Sequence, residues 1–362
     1  MQMVYRFEIH PTKEQQSLMF YILKLCRKLY NHALNERQET YKKNGKSLTY
    51  NQQQNALPAF VKENPEYKQV HSQVLQDVLR RLDSAYQRFF AKEAGYPRFK
   101  NRDHYTSFTY PQVDKVKKTF TRPGSIYLSK IGFVKMSTHR EFPVEAVTRA
   151  NVKYHGGKWY ANLTAEIPDA DASEALEKTV GIDVGLSHFA MLSDQTYIEN
   201  PKYFRKMEKK LAKAQRRLSR KKKGSHNRGK AKAKVAKLHA KIANQRRDFL
   251  HQVSVRVVRN YDLIVMEDLK VRNMVRNHRL AKSIHDAGWG QFKNYIRYKC
   301  ERTGKRFILV DPKGTSQTCL CGEPVPKDLS VRVHECPACG LVMDRDLVSA
   351  KLILGRGLST IA

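Results

Sequence analysis

Residues 1–9 alternate, with Tyr5, Phe7 and Ile9 on one side and Val4, Arg6 and Glu8 on the other. This period of two predicts a short strand. Pro11, Thr12, Lys13 and Glu14 then open a helix, in which Leu18, Ile22, Leu25, Cys26 and Leu29 recur at helical spacing. The helical period runs to about residue 41, returns at about 49–60, and returns again at about 70–91 through Val74, Val78, Leu82, Ala85 and Phe89. Residues 10–95 therefore form a helical segment. The period changes after Gly95, Tyr96 and Pro97, and alternation prevails from about 106 to 167, with Gly124, Gly132, Gly156 and Gly157 supplying turns. Short strands separated by such turns predict a small β-barrel, which the first strand can join.

The acidic stretch 169–178 reads as a linker. Beyond it, 179–185 is a strand ending in a turn and 188–192 a second strand. Phe204, Met207, Leu211 and Leu218, then Val235, Leu238 and Ile242, keep helical spacing on either side of a break at 221–229. A strand follows at 262–267, then a helix at about 286–303, a strand at 306–310 and a last helix carrying Val348, Leu352 and Ile353. Trp289 and Phe292 anchor the 286–303 helix in a core. No repeat recurs at a fixed period.

Charge changes the picture. The 362 residues hold 68 Lys and Arg against 34 Asp and Glu, a formal charge of +34. A neutral small substrate is a poor match for such a surface, and a polyanion, above all nucleic acid, is a good one. With 41% hydrophobic and 10% aromatic residues, the charge sits on a folded protein and not on a disordered tail. Residues 202–247 alone carry 20 Lys and Arg and one acid, Glu208. They predict a basic helical hairpin, packed along one stripe and facing phosphate with the rest, Lys221, Lys222 and Lys223 among it. No run approaches the roughly 18 apolar residues of a membrane span, and the N-terminus lacks a secretion signal, so a cytoplasmic, nucleoid-associated protein is expected.

Three carboxylates stand at element ends: Asp183 in the strand end Gly-Ile-Asp-Val-Gly, Glu267 closing Leu-Ile-Val-Met-Glu, and Asp346 opening the last helix. An acid at the end of an apolar strand is unfavourable unless a positive group meets it. Three that converge would suit Mg²⁺, and two such ions would stabilise the attacking and leaving oxygens of a phosphodiester cleavage. Asp344 competes with Asp346 for the third place; Asp346 is preferred because the helix follows it directly. Four of the six cysteines, Cys319, Cys321, Cys336 and Cys339, lie within 21 residues. The second pair is a Cys-x-x-Cys followed by Gly340, and the first a tighter Cys-x-Cys. The set suits one tetrahedral structural Zn²⁺, with His334 as the alternative fourth ligand. Cys26 and Cys300 stand apart and read as small buried hydrophobes.

With these motifs in view the sequence resembles the TnpB family, RNA-guided nucleases encoded by small insertion sequences and related to type V CRISPR effectors. The likeness spans nearly the whole chain. It rests on residues 5–15, Gly-Tyr-Pro-Arg-Phe-Lys at 95–100, 181–185, 265–269, Trp-Gly-Gln-Phe at 289–292, Thr-Ser-Gln-Thr-Cys at 315–319 and 336–346. The chain departs from the family pattern at the short first cysteine pair and at Val348, where an Asn is usual. The resemblance implies a multidomain α/β protein. Residues 179–314 and 343–362 would form a RuvC-like nuclease domain of the RNase H fold, with an inserted zinc-binding module at 315–342. Residues 10–95 would be a helical recognition lobe, and 1–9 with 96–170 a small β-barrel wedge domain.

The implied activity is Mg²⁺-dependent cleavage of target double-stranded DNA beside a short flanking motif, with Asp183, Glu267 and Asp346 as catalytic residues and metal ligands. The implied partners are that DNA and a guide RNA from the transposon end; guide pairing would read the sequence. The flanking motif would be read near Tyr50, Gln73, Gln76 and Thr109, whose side chains can bond base edges or stack. Arg98 and Lys100 are expected on phosphate. The alternatives are an RNA-guided repressor of the same fold without cleavage and, less well matched, a DNA-strand transposase.

Overall fold

The computed structural model describes residues 1–113, 119–120, 122–171, 176–328 and 331–361. The chain divides into two compact units, Met1–Pro168 and Asp169–Ala362. The expected linker begins at that division, and its residues 172–175 lie outside the described residues. No helix among the described residues is long and apolar enough to cross a membrane.

The first unit begins with β1 (Gln2–His10), α1 (Lys13–Asn44), α2 (Tyr50–Glu63) and α3 (Ser72–Phe90). The Thr12 hydroxyl accepts from the Gln15 amide, and the Gln15 side chain accepts from the Thr12 amide, a reciprocal cap that starts α1. Gly45 ends that helix at φ +66°, a conformation that glycine adopts without penalty. Five strands follow: β2 (Ser107–Tyr110), β3 (Ser125–Leu128), β4 (Gly132–Ser137), β5 (Val147–His155) and β6 (Lys158–Glu166). With β1 they form one six-stranded antiparallel sheet in the order β2-β5-β6-β1-β4-β3. The alternation of β1 is realised, with Met3, Tyr5, Phe7 and Ile9 buried. The expected closed barrel is not found among the described residues. The edge strands β2 and β3 have four residues each and no ladder joins them. Between the two edges the Tyr110 hydroxyl donates to the Ser129 carbonyl at 2.8 Å, and the Tyr127 amide of β3 donates to the Thr119 carbonyl at 2.8 Å. The helices pack on this sheet: Phe20 of α1 meets Trp159 and Tyr154 at 5.1 and 5.0 Å between ring centres.

The second unit runs β7 (Thr179–Val184), β8 (His188–Leu192), β9 (Tyr197–Glu199), α4 (Tyr203–Ser219), α5 (His226–Asn260), β10 (Leu263–Glu267), α6 (Val271–Met274), α7 (His278–Ala287), α8 (Trp289–Thr303), β11 (Arg306–Val310), β12 (Val333–Glu335), β13 (Val342–Asp344) and α9 (Arg345–Leu358). Five of its strands make a mixed sheet in the order β11-β10-β7-β8-β9. β7, β8 and β9 are an antiparallel meander, whereas β10 runs parallel to both β7 and β11. The two faces of β10 go to different cores. Ile264 and Met266 join Leu250, Val253 and Val257 of α5 and Phe292 and Ile296 of α8, while Leu263 and Val265 join Ile353 of α9. Trp289 and Phe292 are buried as expected. Two boundaries differ from the sequence reading. The basic hairpin is α4 and α5, but α5 continues past 247 to Asn260 because its apolar stripe goes on through Leu250, Val253 and Val257. The helix expected at about 286–303 begins at Trp289, since Gly288 sits at φ +73° and divides α7 from α8.

Helix α9 lies close on the sheet at two glycines. A Cβ on Gly181 of β7 would overlap the Ala350 carbonyl oxygen and stand 2.7 Å from the Leu354 amide nitrogen, and a Cβ on Gly357 would overlap Val265. Replacing Gly181 by Ala is therefore expected to lower stability by about 1–3 kcal/mol through overpacking against backbone. The Gly355→Ala variant, on the exposed side of α9 with no atom within 4 Å of the added methyl, should be neutral or gain about 0.5–1 kcal/mol. Thermal denaturation reads the pair; equal melting temperatures would mean that α9 does not rest on β7 as described.

Candidate functional site

The parallel pairing of β7 and β10 brings two acids to one end of the sheet. Ile182 stands opposite Met266, so Asp183 and Glu267 follow as the next residues on adjacent strands. The third acid arrives on α9, whose contact with Gly181 sets its N-terminus over the same strand ends. There the two neighbouring acids part ways. Asp344 is the N-cap: its Oδ1 accepts from the Asp346 amide at 2.8 Å and the Leu347 amide at 3.0 Å. That carboxylate is committed to the helix end, and Asp346, in the first turn, is left to face the strands.

The electrostatics agree with this convergence. Burial pushes Asp183 well above the usual carboxylate range, and the negative charges of Glu267 and Asp346 push it further; Arg345 opposes them. Burial raises Glu267 as well, against a hydrogen bond from the Thr315 hydroxyl and the charge of Arg356. Asp346 is met by two guanidinium groups, Arg345 Nε at 3.5 Å and Arg332 Nη1 at 3.8 Å. Asp183 thus lies within electrostatic range of both other acids, and each of the three has a partner that offsets part of its charge. Such a donor set, all hard oxygen and short of positive charge, fits a divalent cation such as Mg²⁺. Thr315, Arg332, Arg345 and Arg356 were not singled out from the sequence. Thr315 and Arg345 stand inside the motifs that were, but only the fold shows what they touch.

The four cysteines come together more tightly. Among the described residues they alone form a group of three or more potential ligand atoms that all lie within 4.8 Å of one another. Cys319 and Cys339 sulfurs are 3.6 Å apart, and those of Cys321 and Cys336 are 3.7 Å apart. Tetrahedral Zn–S bonds of about 2.3 Å would place sulfurs about 3.8 Å apart, so the set can hold a metal of that kind. The Cys-x-Cys spacing is accommodated by a tight turn at Gly322, φ +95°. Amides at the Cys-x-x-Cys turn, Cys339 first and then Ala338, help draw the Cys336 thiol down to about 7. His334 is not part of the group. It is fully buried on β12, with Lys327 against its Nδ1. Cys26 and Cys300 are buried, and burial pushes both thiols up to about 12.

The residues expected on nucleic acid are scattered. Lys221, Lys222 and Lys223 are exposed in the turn between α4 and α5, a turn held by Arg228, which donates to the Leu218 and Lys221 carbonyls at 2.9 and 2.8 Å. Arg98 is exposed, and Lys100 has its backbone fixed by Asn31 and its ammonium 5.6 Å from the Tyr30 ring centre. Gln73 donates to Gln112 at 2.7 Å, and Gln76 is half-buried on the same helix. Thr109 is buried, its hydroxyl accepting from Arg81 and, at 2.9 Å, from Asn151. Tyr50 stands elsewhere. It shares a cleft with Gln87 and Phe90, whereas Gln73 lines one with Tyr110 and Gln112. Gln73 and Gln87 are 14 residues, about 21 Å, apart along α3. The four residues expected to read one motif therefore occupy two separate places, and Thr109 is engaged within the fold.

The chain is similar to known proteins. Residues 162–278 match the OrfB_IS605 family, described as "Probable transposase", and 289–353 match the "Cas12f1-like, TNB domain" family. Residues 1–46 match a family described as "Helix-turn-helix domain", although here that span holds one strand and one long helix. The chain is 36% identical to a Streptomyces pristinaespiralis protein named "Putative RNA-guided DNA endonuclease", over 99% of this chain and 90% of the relative. It is 35% identical to "Putative RNA-guided DNA endonuclease InsQ" of Escherichia coli K12, over 99% and 93%. In fold it is similar to Cas12f1 in a complex with sgRNA and target DNA, with a TM-score of 0.59 and 16% identity over 94% of this chain and 83% of that one. It is also similar to the mini-RNA-guided endonuclease CRISPR-Cas phi3, with a TM-score of 0.51 and 10% identity over 98% and 92%. Given identities above a third across nearly all of both full-length relatives, the chain belongs to the TnpB family.

Proposed function

We propose that this protein is an RNA-guided DNA endonuclease of a transposable element, with a RuvC-like nuclease site at Asp183, Glu267 and Asp346. The observation that carries the proposal is the meeting of these acids at the ends of β7, β10 and α9, where their charges raise Asp183. Asp183, Glu267 and Asp346 would hold Mg²⁺, two ions on this reading, which supply stabilisation of the attacking and leaving oxygens of the cleaved phosphodiester. Thr315 fixes Glu267 by its hydrogen bond, and Asp344 fixes the helix end from which Asp346 projects. The names of the relatives support a guide RNA and target DNA as partners, and the +34 charge supports a polyanion. Guide pairing would choose the target, next to a short flanking motif read by the protein. The mixed sheet of the second unit supports the RNase H-fold reading, and the β12–β13 hairpin with its four cysteines supports a zinc module set between β11 and α9. We place its action in the cytoplasm, on DNA.

The acid site is tested by substitution. Asp183→Ala or Glu267→Ala should abolish cleavage while leaving RNA and target binding nearly intact, because affinity resides in the basic surface. Asp346→Ala should behave alike. Asp344→Ala loses a helix cap, about 0.5–2 kcal/mol, and should cleave more than Asp346→Ala does. Wild-type cleavage in Asp183→Ala would sink the assignment, and the reverse order of the α9 pair would show that the wrong acid was chosen.

Metal analysis of the purified chain is expected to give one Zn²⁺. Structural zinc contributes on the order of 10 kcal/mol or more to a small module, so Cys336→Ser should lose the ion and disorder the module, whereas His334→Ala should keep it. A stoichiometry near zero in the wild type would reject the site.

For the basic hairpin, each phosphate contact should add about 0.7–0.9 to the slope of log affinity against log salt. The triple change of Lys221, Lys222 and Lys223 to Ala should flatten that slope and leave flanking preference alone, since phosphate contacts carry no sequence information. An unchanged slope would mean that the turn is only a solvated surface.

A further inference from the structure

The cysteine module has little besides its sulfurs to hold it together. Among the described residues its buried apolar cluster is Cys319, Val325 and Cys336, with Leu341 against it. All four cysteines are free thiols. A chain shorter than about 40 residues ordinarily needs a metal or disulfides to keep its fold, so a metal on the four sulfurs is what would order this segment. Two arms lead from it to the acids. The first is the stretch before Cys319. The hydroxyl of Thr315, a residue 4% exposed, donates to Glu267. Ser349 of α9 donates to the Thr315 carbonyl at 3.3 Å. The residues after Thr315 are tied into the cysteine turn: the Val325 amide donates to the Gln317 carbonyl and the Cys319 amide to the Glu323 carbonyl, both at 2.8 Å. The second arm is Arg332, four residues before Cys336. Its carbonyl accepts from the Arg345 amide at 2.8 Å, and Arg345 Nη1 donates to the Asp328 carbonyl at 3.2 Å. Both arginine side chains reach Asp346. Asp183 is placed differently, by the pairing of β7 with β10 and β8.

We propose that the cysteine module sets the cation affinity of the acid cluster. A metal on Cys319, Cys321, Cys336 and Cys339 orders the two arms, and the ordered arms hold Glu267 and Asp346 where a divalent cation meets them together with Asp183. With the module disordered, Thr315 and Arg332 lose their anchors. Glu267 and Asp346 can then move away from the like charge of Asp183, and a cation has to draw them back at the cost of that freedom. Coupling between two sites is reciprocal, so a cation on the acids must tighten the metal on the thiolates by the same factor. The inference rests on the proposed acid site but not on cleavage or on any nucleic acid.

The test is Mn²⁺ binding to the full-length chain, followed by electron paramagnetic resonance, with zinc bound and after zinc is removed by a chelator that is then dialysed away. Asp183→Ala, which should lose the tight Mn²⁺ site, identifies the acid cluster as the site being read. Removing zinc should weaken that site by about 5- to 150-fold, the usual range of coupling between two sites. Thr315→Val keeps the shape of the side chain and removes its hydroxyl. It should retain one zinc per chain and weaken Mn²⁺ binding in the zinc-bound protein. In the zinc-free protein it should change nothing more, because that arm is already loose. Equal Mn²⁺ affinity with and without zinc would overturn the proposal, and so would a Thr315→Val loss of the same size in both forms. Should circular dichroism show that zinc removal melts the sheet as well, Thr315→Val decides alone: wild-type Mn²⁺ affinity in the zinc-bound variant would overturn the coupling. A wild type without any Mn²⁺ site that Asp183→Ala removes would instead overturn the acid-site reading on which the inference rests.

Discussion

The contact between α9 and β7 is possible only because residue 181 has no side chain. A helix normally rides about 10 Å above a sheet on a layer of side chains; here the backbone of α9 comes down onto the strand at Gly181. Everything at the acid cluster follows from that descent. Raised by the thickness of a methyl, α9 would carry Asp346 away from Asp183 and Glu267. The second glycine, Gly357, lowers the far end of the same helix onto Val265, so the helix lies along the sheet without tipping.

Close approach of like charges is unfavourable, and the fold offsets it locally. Arg345 and Arg332 neutralise Asp346, Thr315 holds Glu267, and Asp183 is left as the most strongly perturbed acid. Two of these partners belong to the cysteine module or its border. Arg332 immediately precedes β12, and its carbonyl accepts from the Arg345 amide at 2.8 Å. β13 then runs without a break into the Asp344 cap. The hairpin that closes the four cysteines is therefore also the mount of the third acid.

Much of this was legible in the sequence, because an apolar run that ends in a carboxylate signals its own exception. Asp183 and Glu267 could be picked out that way, and the strand alternation of β1 and the helical stripe of α1 could be read directly. Pairwise geometry was not legible. Edge closure of the first sheet depends on strand length and twist, which alternation does not encode. The split between Tyr50 and Gln73 depends on how α2 crosses α3, and Thr109 looks free in sequence because its partners Arg81 and Asn151 are distant in it. Charge concealed the last turns of α5, whose basic residues overshadow the Leu250 stripe.

The three acids are spread along the chain at 183, 267 and 346, and the last comes on the final helix of the second unit. Translation produces the chain in that order. β7 and β10 can pair as soon as both have left the ribosome, but the seat at Gly181 stays open until α9 follows. During synthesis the basic hairpin is therefore made well before the three acids can come together. The order of the elements separates completion of the basic surface from completion of the acid cluster in time.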